Sequence, residues 1–396
     1  MRNDAILPAP VREPEPLLNA ARRLYPLVRE HAEPGERNRR IARPVIEALL
    51  DAGLFHMSVP RAYGGRELTP TEMVICIEEL ARGDASTGWC VGKATCSALV
   101  ARSLPAPVLH EMFDDGKSIG ACVLASKGQA IAVPGGIRLT GRWSYATTSQ
   151  DCTWIALGTL VSDGDQVRKT PNGQPARHLA ILNRSEFQVR DTWHVSGLAG
   201  SGSQDVEVTD QLIPEARVVG LFSPRTLLTP LYGFPIFALL RVLDAAAALG
   251  VGRRAIEEFG DLARQKASAW GGNLRDQASA QQFVGQAEGM VRSGRAFLIE
   301  AVSDAWAATQ GATSVDIKHR VMMTLAATEA VARVTAAVSL MYREGGVTSM
   351  MTDHTMQRLF RDIHAITQDV AVHHKNYEYV GKHVLDVLDP ETALRL

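Results

Sequence analysis

Three places in the sequence combine residue types and spacings that could do chemistry. In LLRVLDAAAALGVG, Arg241 and Asp244 stand three apart in an otherwise apolar run. Charges there need partners, and an i, i+3 pair on one helical face provides them. Two readings stay open: a self-satisfied pair at a surface or interface, and a pair lining a cavity. In RDIHAITQDVAVHH, residues 361 to 374, carboxylates and histidines follow an arginine, and both types can move protons. His373 and His374 are adjacent, the wrong spacing for two ligands on one helical face, so no metal site is read. Cys76, Cys90, Cys96, Cys122 and Cys152 are scattered without metal-ligand spacing and read as small, reduced core residues. The third place is DTWHVSGLAGSGSQDVEVTDQLIPEARVVG, from Asp191 to Gly220. Its small residues and hydroxyls let a backbone approach a flat or anionic ligand, and a solvated hairpin accounts for them equally well.

These residues need elements to position them. The Asp191 to Gly220 stretch reads as strand, tight loop and strand, with Val206 and Val208 alternating before a turn at Pro214. Upstream, helical spacing recurs in Leu17, Leu18, Ala21, Leu24 and Leu27, then in Val45, Ile46, Leu49, Leu50 and Leu54, with Gly53 as a C-cap. A third helix follows Thr69 and ends near Gly83, and a fourth runs from about Trp89 towards Val100. From Ser118 the chain turns to short β-branched stretches, such as Trp154 to Leu160 and His178 to Leu182, with an exposed loop over residues 161–176. Beyond Pro235 long alanine-rich helices return, suited to a four-helix bundle with subunit contacts. The expectation is an α+β chain in three parts: helical domain 1–117, β domain 118–228 and helical bundle 229–396. With 396 residues, 46% hydrophobic content and a net charge of −1, it has a large core and no charge excess for nucleic acid. No secretory signal and no membrane span of roughly 20 apolar residues is read, so a cytoplasmic protein without membrane partners is expected.

Five segments, in order over residues 15 to 390, resemble the acyl-CoA dehydrogenase superfamily. They are Ala52-Gly53-Leu54 with Arg61 to Gly65, Gly141 to Thr147, the tryptophan and Gly/Ser loop of Asp191 to Gly220, Gly345-Gly346, and Arg358 to Asp362. The nearest likeness is to its branch of two-component flavin-dependent monooxygenases, the group D hydroxylases. That resemblance implies an acyl-CoA dehydrogenase-like fold with an N-terminal helical domain, a β-barrel-like middle domain and a C-terminal four-helix bundle, assembled as a homotetramer. It further implies reduced FMN or FAD as co-substrate, delivered by a separate flavin reductase, with O2 and a small, aromatic or polycyclic substrate.

It also implies roles for particular residues. Thr147 takes the position whose hydroxyl reaches flavin N5, with Trp143 and Thr148 beside it; the hydroxylases carry "FASG" there, so Thr148 replaces glycine. Trp89 lies on a helix facing the cavity. Lys266 and Trp270 fall near residues that contact flavin phosphate or adenine, and Gly345-Gly346 near a segment that reaches a neighbouring subunit's cofactor. Tyr342 stands where FAD-using dehydrogenases have Gln. Arg241 is expected to contact flavin or substrate, and Asp244 to steer the substrate, with His364 and His373 further candidates. The two histidines used by the hydroxylases correspond to Ser97 and Asp369, and the glutamate base of the dehydrogenases corresponds to Val370. Three readings follow: a monooxygenase, a flavin dehydrogenase or desaturase with Asp369 as base, and a flavin- or ligand-binding homologue without oxygenase chemistry.

Overall fold

The computed structural model describes residues 16–268, 271–309, 315–389 and 393. The chain opens with helices α1 (Leu17–Glu30), α2 (Ala32–Asn38), α3 (Arg43–Asp51), α4 (Pro70–Gly83), α5 (Ala85–Ser97) and α6 (Ala106–Phe113). Local signals set the two helices that matter most. Thr69 and Glu72 form a reciprocal capping box at the start of α4, and the Asp84 carboxylate accepts the Thr87 N–H at 2.8 Å to start α5. Gly53 has φ 75° and follows the C-cap Ala52 of α3.

Strands β1 (Gly120–Val133), β2 (Gly136–Ala146), β3 (Trp154–Asp163), β4 (Gln166–Val167), β5 (Arg177–Asn183), β6 (Gln188–Arg190), β7 (Gln204–Pro214) and β8 (Val218–Gly220) form one sheet. Its order is β6-β7-β2-β1-β3-β5-β8, with β4 a short hairpin partner of β3 inside the segment expected as loop. The sheet is mixed, because β1 and β3 run parallel while the other pairs are antiparallel. β5 also touches β7, so the sheet curls back on itself.

The last part holds α7 (Pro230–Gly233), α8 (Ile236–Gln265), α9 (Ala278–Thr309), α10 (Ile317–Glu344), α11 (Val347–Met350), α12 (Thr355–Ile366) and α13 (Asn376–Val384). α8, α9, α10 and α12 pack as a bundle, and α8 also packs on α4 and α5. Small residues allow that approach: a Cβ on Gly250 of α8 would overlap the Glu78 carbonyl of α4. α10 corrects one expectation from the sequence, since its length and a mean hydropathy of 1.4 would suffice to cross a membrane. In the fold 61% of that apolar window is buried, and α10 packs against α8, α9 and α12 as the core helix of the bundle.

Candidate active site

α5 carries Trp89, Lys93 and Ser97 and packs against α8 and the loop before β7. It is buried almost throughout, and Lys93 is the one charged residue between Asp84 and Arg102. Such a lysine must be neutralised nearby. Its ammonium donates to Asp244 Oδ2 of α8 at 2.8 Å and to Asp369 Oδ2, in the turn after α12, at 3.0 Å. It also stands 4.1 Å from the centre of the Trp89 ring, one turn back on the same helix. Arg241, one turn before Asp244 on α8 and 6% exposed, acts on both carboxylates through its charge. With all four groups ionised, two positive and two negative charges cancel.

The environments of the two carboxylates differ. Asp244 is 2% exposed, and burial pushes its carboxyl up to about 7 in spite of Lys93. Burial pushes Asp369 the same way, but Lys93, the Ala371 N–H at 2.8 Å and Arg241 outweigh it and hold that carboxyl below its ordinary value. Burial pulls Lys93 down, and the two carboxylates more than reverse it. Burial also pulls Arg241 down, to about 10.

The other face of α5 meets the Gly/Ser loop. Cys90 Sγ approaches the Ser201 carbonyl at 3.4 Å, and a chain of hydroxyls runs from Ser201 through Ser203 to Thr147, at 2.9 and 2.8 Å. Thr147 follows a bulge in β2, and beside it Tyr145, 72% exposed, meets Trp193 edge to face at 6.2 Å. Thr148 donates to the Gly120 carbonyl at 3.1 Å with φ 66°, a left-handed backbone that accounts for glycine in the hydroxylase pattern at this place. The loop itself docks on α12. Asp362 accepts the Leu198 N–H at 2.7 Å, Arg361 donates to the Ser196 carbonyl, and a Cβ on Gly197 would overlap the Arg361 carbonyl. The small residues of this loop, buried from Gly197 to Ser203, thus serve close packing within the chain.

Several expected site residues go elsewhere. Trp143 is fully buried inside the sheet, donating to the Gly158 carbonyl at 2.7 Å, so its indole packs the β core instead of facing a ligand. The Ser97 hydroxyl donates to the Lys93 carbonyl at 2.8 Å and is satisfied within its own helix. His364 tilts against Phe360, which stacks on Tyr342, while His373 lies against His374 and accepts the Lys375 N–H. Neither histidine bonds to Lys93, Asp244 or Asp369. Lys266 donates to the Gly345 carbonyl at 2.7 Å, which ties the end of α8 to the Gly345-Gly346 turn after α10. Trp270 lies outside the described residues. The helical count from Arg361 fails because α12 ends at Ile366: Asp369 sits in a turn, and Val370 is 80% exposed. Among the described residues no cluster of His, Cys, Asp and Glu could hold a metal ion. A cleft of about 420 Å³, lined by residues including Arg168, His178 and Glu215, sits by Val133 and Gly136, at the other end of β1 from Thr148 and its partner Gly120.

Thr147 with its hydroxyl chain, beside the Tyr145–Trp193 aromatic pair, is a donor set that fits the edge and face of a flat heteroaromatic ring such as a flavin. The chain matches the acyl-CoA dehydrogenase N-terminal domain over residues 19–103 and the acyl-CoA dehydrogenase C-terminal domain over residues 242–374. Together these cover more than half of it. The chain belongs to the acyl-CoA dehydrogenase family. This acyl-CoA dehydrogenase homologue is 28% identical over 359 residues to an indole-3-acetate monooxygenase of Pseudomonas putida, covering 89% of this chain and 90% of that one. It is 25% identical to the oxygenase component of an FADH(2)-dependent resorcinol hydroxylase of Rhizobium, over 90% of this chain and 89% of that one. The structure of XiaF from Streptomyces, in complex with FADH2 and glycerol, shares the fold with a TM-score of 0.85 at 24% identity, covering 94% and 96% of the two chains.

Proposed function

We propose that this acyl-CoA dehydrogenase homologue is the oxygenase component of a flavin-dependent monooxygenase that oxygenates a small aromatic or polycyclic molecule. A separate reductase supplies the reduced flavin, FMN or FAD. Its relatives over most of the chain are monooxygenases, and the observation that carries the choice over dehydrogenation is the state of Asp369. A dehydrogenase needs a carboxylate free to take a proton from its substrate. Asp369 is held by Lys93 and by the Ala371 N–H, and kept below its ordinary value, while Val370 at the base position is apolar and exposed. Both features argue against the dehydrogenase reading.

Reduced flavin, when bound, supplies the electrons that activate dioxygen. The Thr147 hydroxyl offers its edge a hydrogen bond, and Trp193 offers an apolar surface. A lone Asp369 anion would repel negative charge developing nearby; Lys93 cancels that repulsion, so the absence of the two hydroxylase histidines does not leave an uncompensated anion there. Arg241 and Asp244 complete the polar wall. The reading takes the protein as cytoplasmic and as a homotetramer; Val347, Met350 and Met351, 50% to 71% exposed around α11, are suited to a subunit contact.

The test supplies the protein with a flavin reductase, NADH, FMN or FAD, isotopically heavy dioxygen and a panel of phenols and indoles. Mass spectrometry of a product carrying one heavy oxygen atom is the expected result. Release of hydrogen peroxide alone across the panel, together with dehydrogenation of an acyl thioester, would overturn the reading.

A further inference from the structure

We propose that the Asp244–Lys93–Asp369 cluster is a proton-holding device, in which Asp244 gains and loses the proton, Asp369 stays a fixed anion and Lys93 is the positioning residue that couples them. The geometry separates the carboxylates. They share one ammonium at 2.8 and 3.0 Å. Asp369 has a second donor, the Ala371 N–H, and its side chain is 24% exposed, so water and two hydrogen bonds support its charge. Asp244 is 2% exposed on an apolar helix, where its ionised form depends on Lys93 and on the nearby charge of Arg241. Two carboxylates around one cation repel each other, which raises the proton affinity of the one less able to hold charge, Asp244.

The groups facing Asp244 are Lys93 and the Cys96 thiol of α5, Arg241 of its own helix and Asp369 from the turn after α12, with Tyr379 of α13 acting on Arg241. Only Asp244 among them has its transition near neutrality: Cys96 lies far above it, Arg241 at about 10, and Asp369 below the ordinary range. When Asp244 is protonated, one oxygen still accepts from Lys93, and the three groups go from one net negative charge to none, or from none to one positive when Arg241 is counted with them. Binding an anion beside the cluster therefore favours the protonated form, and binding a cation opposes it. The site gains a neutral-range acid without a histidine.

The experiment follows isotope-labelled aspartate carboxyl carbons by NMR through a pH titration of the whole, flavin-free protein. Its outcome does not depend on whether the oxygenase reading stands. Asp362 also lies at about 7, so D362N is run to remove that signal. The resonance that vanishes in D244N is expected to titrate near 7, and Asp84, which burial also raises, is told apart by its persistence in D244N. In K93M the Asp244 midpoint moves up by about 1 to 3 units, because the stabilising cation is gone. In D369N it moves down, because the like charge is gone and Lys93 turns wholly to Asp244. K93R keeps the midpoint near its wild-type place. A midpoint at the ordinary aspartate value, or one unmoved by both K93M and D369N, would overturn the proposal. Where monooxygenase activity is found, the rate limb near pH 7 should shift with the same variants and in the same directions; a limb that stays fixed while the resonance moves would remove the device from the reaction.

Discussion

Lys93 is the residue on which the polar side of the site depends. Without it, Asp244, Asp369 and Arg241 would leave an unbalanced negative charge among apolar helices. Removing one member of a buried ion pair typically costs 3–5 kcal/mol, and the lysine's 16% exposure places K93M at the lower end, about 3 kcal/mol. The cost should grow above pH 7, where wild-type Asp244 is ionised and the variant must keep its own protonated. Urea unfolding at pH 6 and pH 8 checks this; an equal cost at both would show that Lys93 acts on Asp369 alone. Arg241 and Asp244 were legible in the sequence, since charges in an apolar run demand partners, and Asp369 came from the family resemblance by a count from Arg361. Lys93 was equally legible in principle, as the lone charge between Asp84 and Arg102. The family pattern points instead to the positions where the hydroxylases carry histidine, and one of them, Ser97, spends its hydroxyl on its own helix.

At the scale of elements, two motifs that resemble family signatures turn out to be each other's packing partners. The loop before β7 meets α12 through Gly197 over Arg361, Leu198 N–H on Asp362 and Ser196 on Arg361, with Arg361 also paired to Glu36 at 2.5 Å. This contact sets where Thr147, reached through Ser201 and Ser203, stands relative to the turn that carries Asp369. G197A should therefore push loop and helix apart. Overpacking of this kind costs roughly 1–3 kcal/mol, and here it should also weaken binding of reduced flavin in an anaerobic titration. A variant that loses stability yet binds flavin as tightly as wild type would show that the contact holds the fold without setting the site. Sequence periodicity placed the helices and many of the strands, because burial patterns repeat over many residues. It could not place Asp369, because the end of α12 at Ile366 is a three-dimensional event that breaks the helical count.

At the scale of the whole molecule, three aspartates are buried or half-buried at junctions between elements, Asp84 between α4 and α5, Asp244 between α8 and α5, and Asp362 between α12 and the loop before β7, and stability must follow pH accordingly. Burial raises Asp244 and Asp362 to about 7, and raises Asp84 as well. An acid raised on folding contributes stability that is fully present below its ordinary value, about 4, and lost as pH climbs towards 7. Glu288 works in the opposite window: Arg253 and Arg292 hold it at about 2, so its contribution is present above the ordinary glutamate value and lost only as pH falls towards 2. The protein should be most stable in mildly acid solution and weaken towards neutrality. Each buried acid contributes a slope of at most about 1.4 kcal/mol per pH unit between those limits. D362N keeps an oxygen to accept the Leu198 N–H but removes the titration. Its unfolding free energy, followed by urea between pH 4 and 7, should therefore fall less steeply than that of the wild type. Parallel curves would mean that Asp362 is ionised in the folded protein, and that the junction between α12 and the loop has a counter-charge strong enough to keep it so, with Arg358, whose charge already favours the ionised form, the candidate.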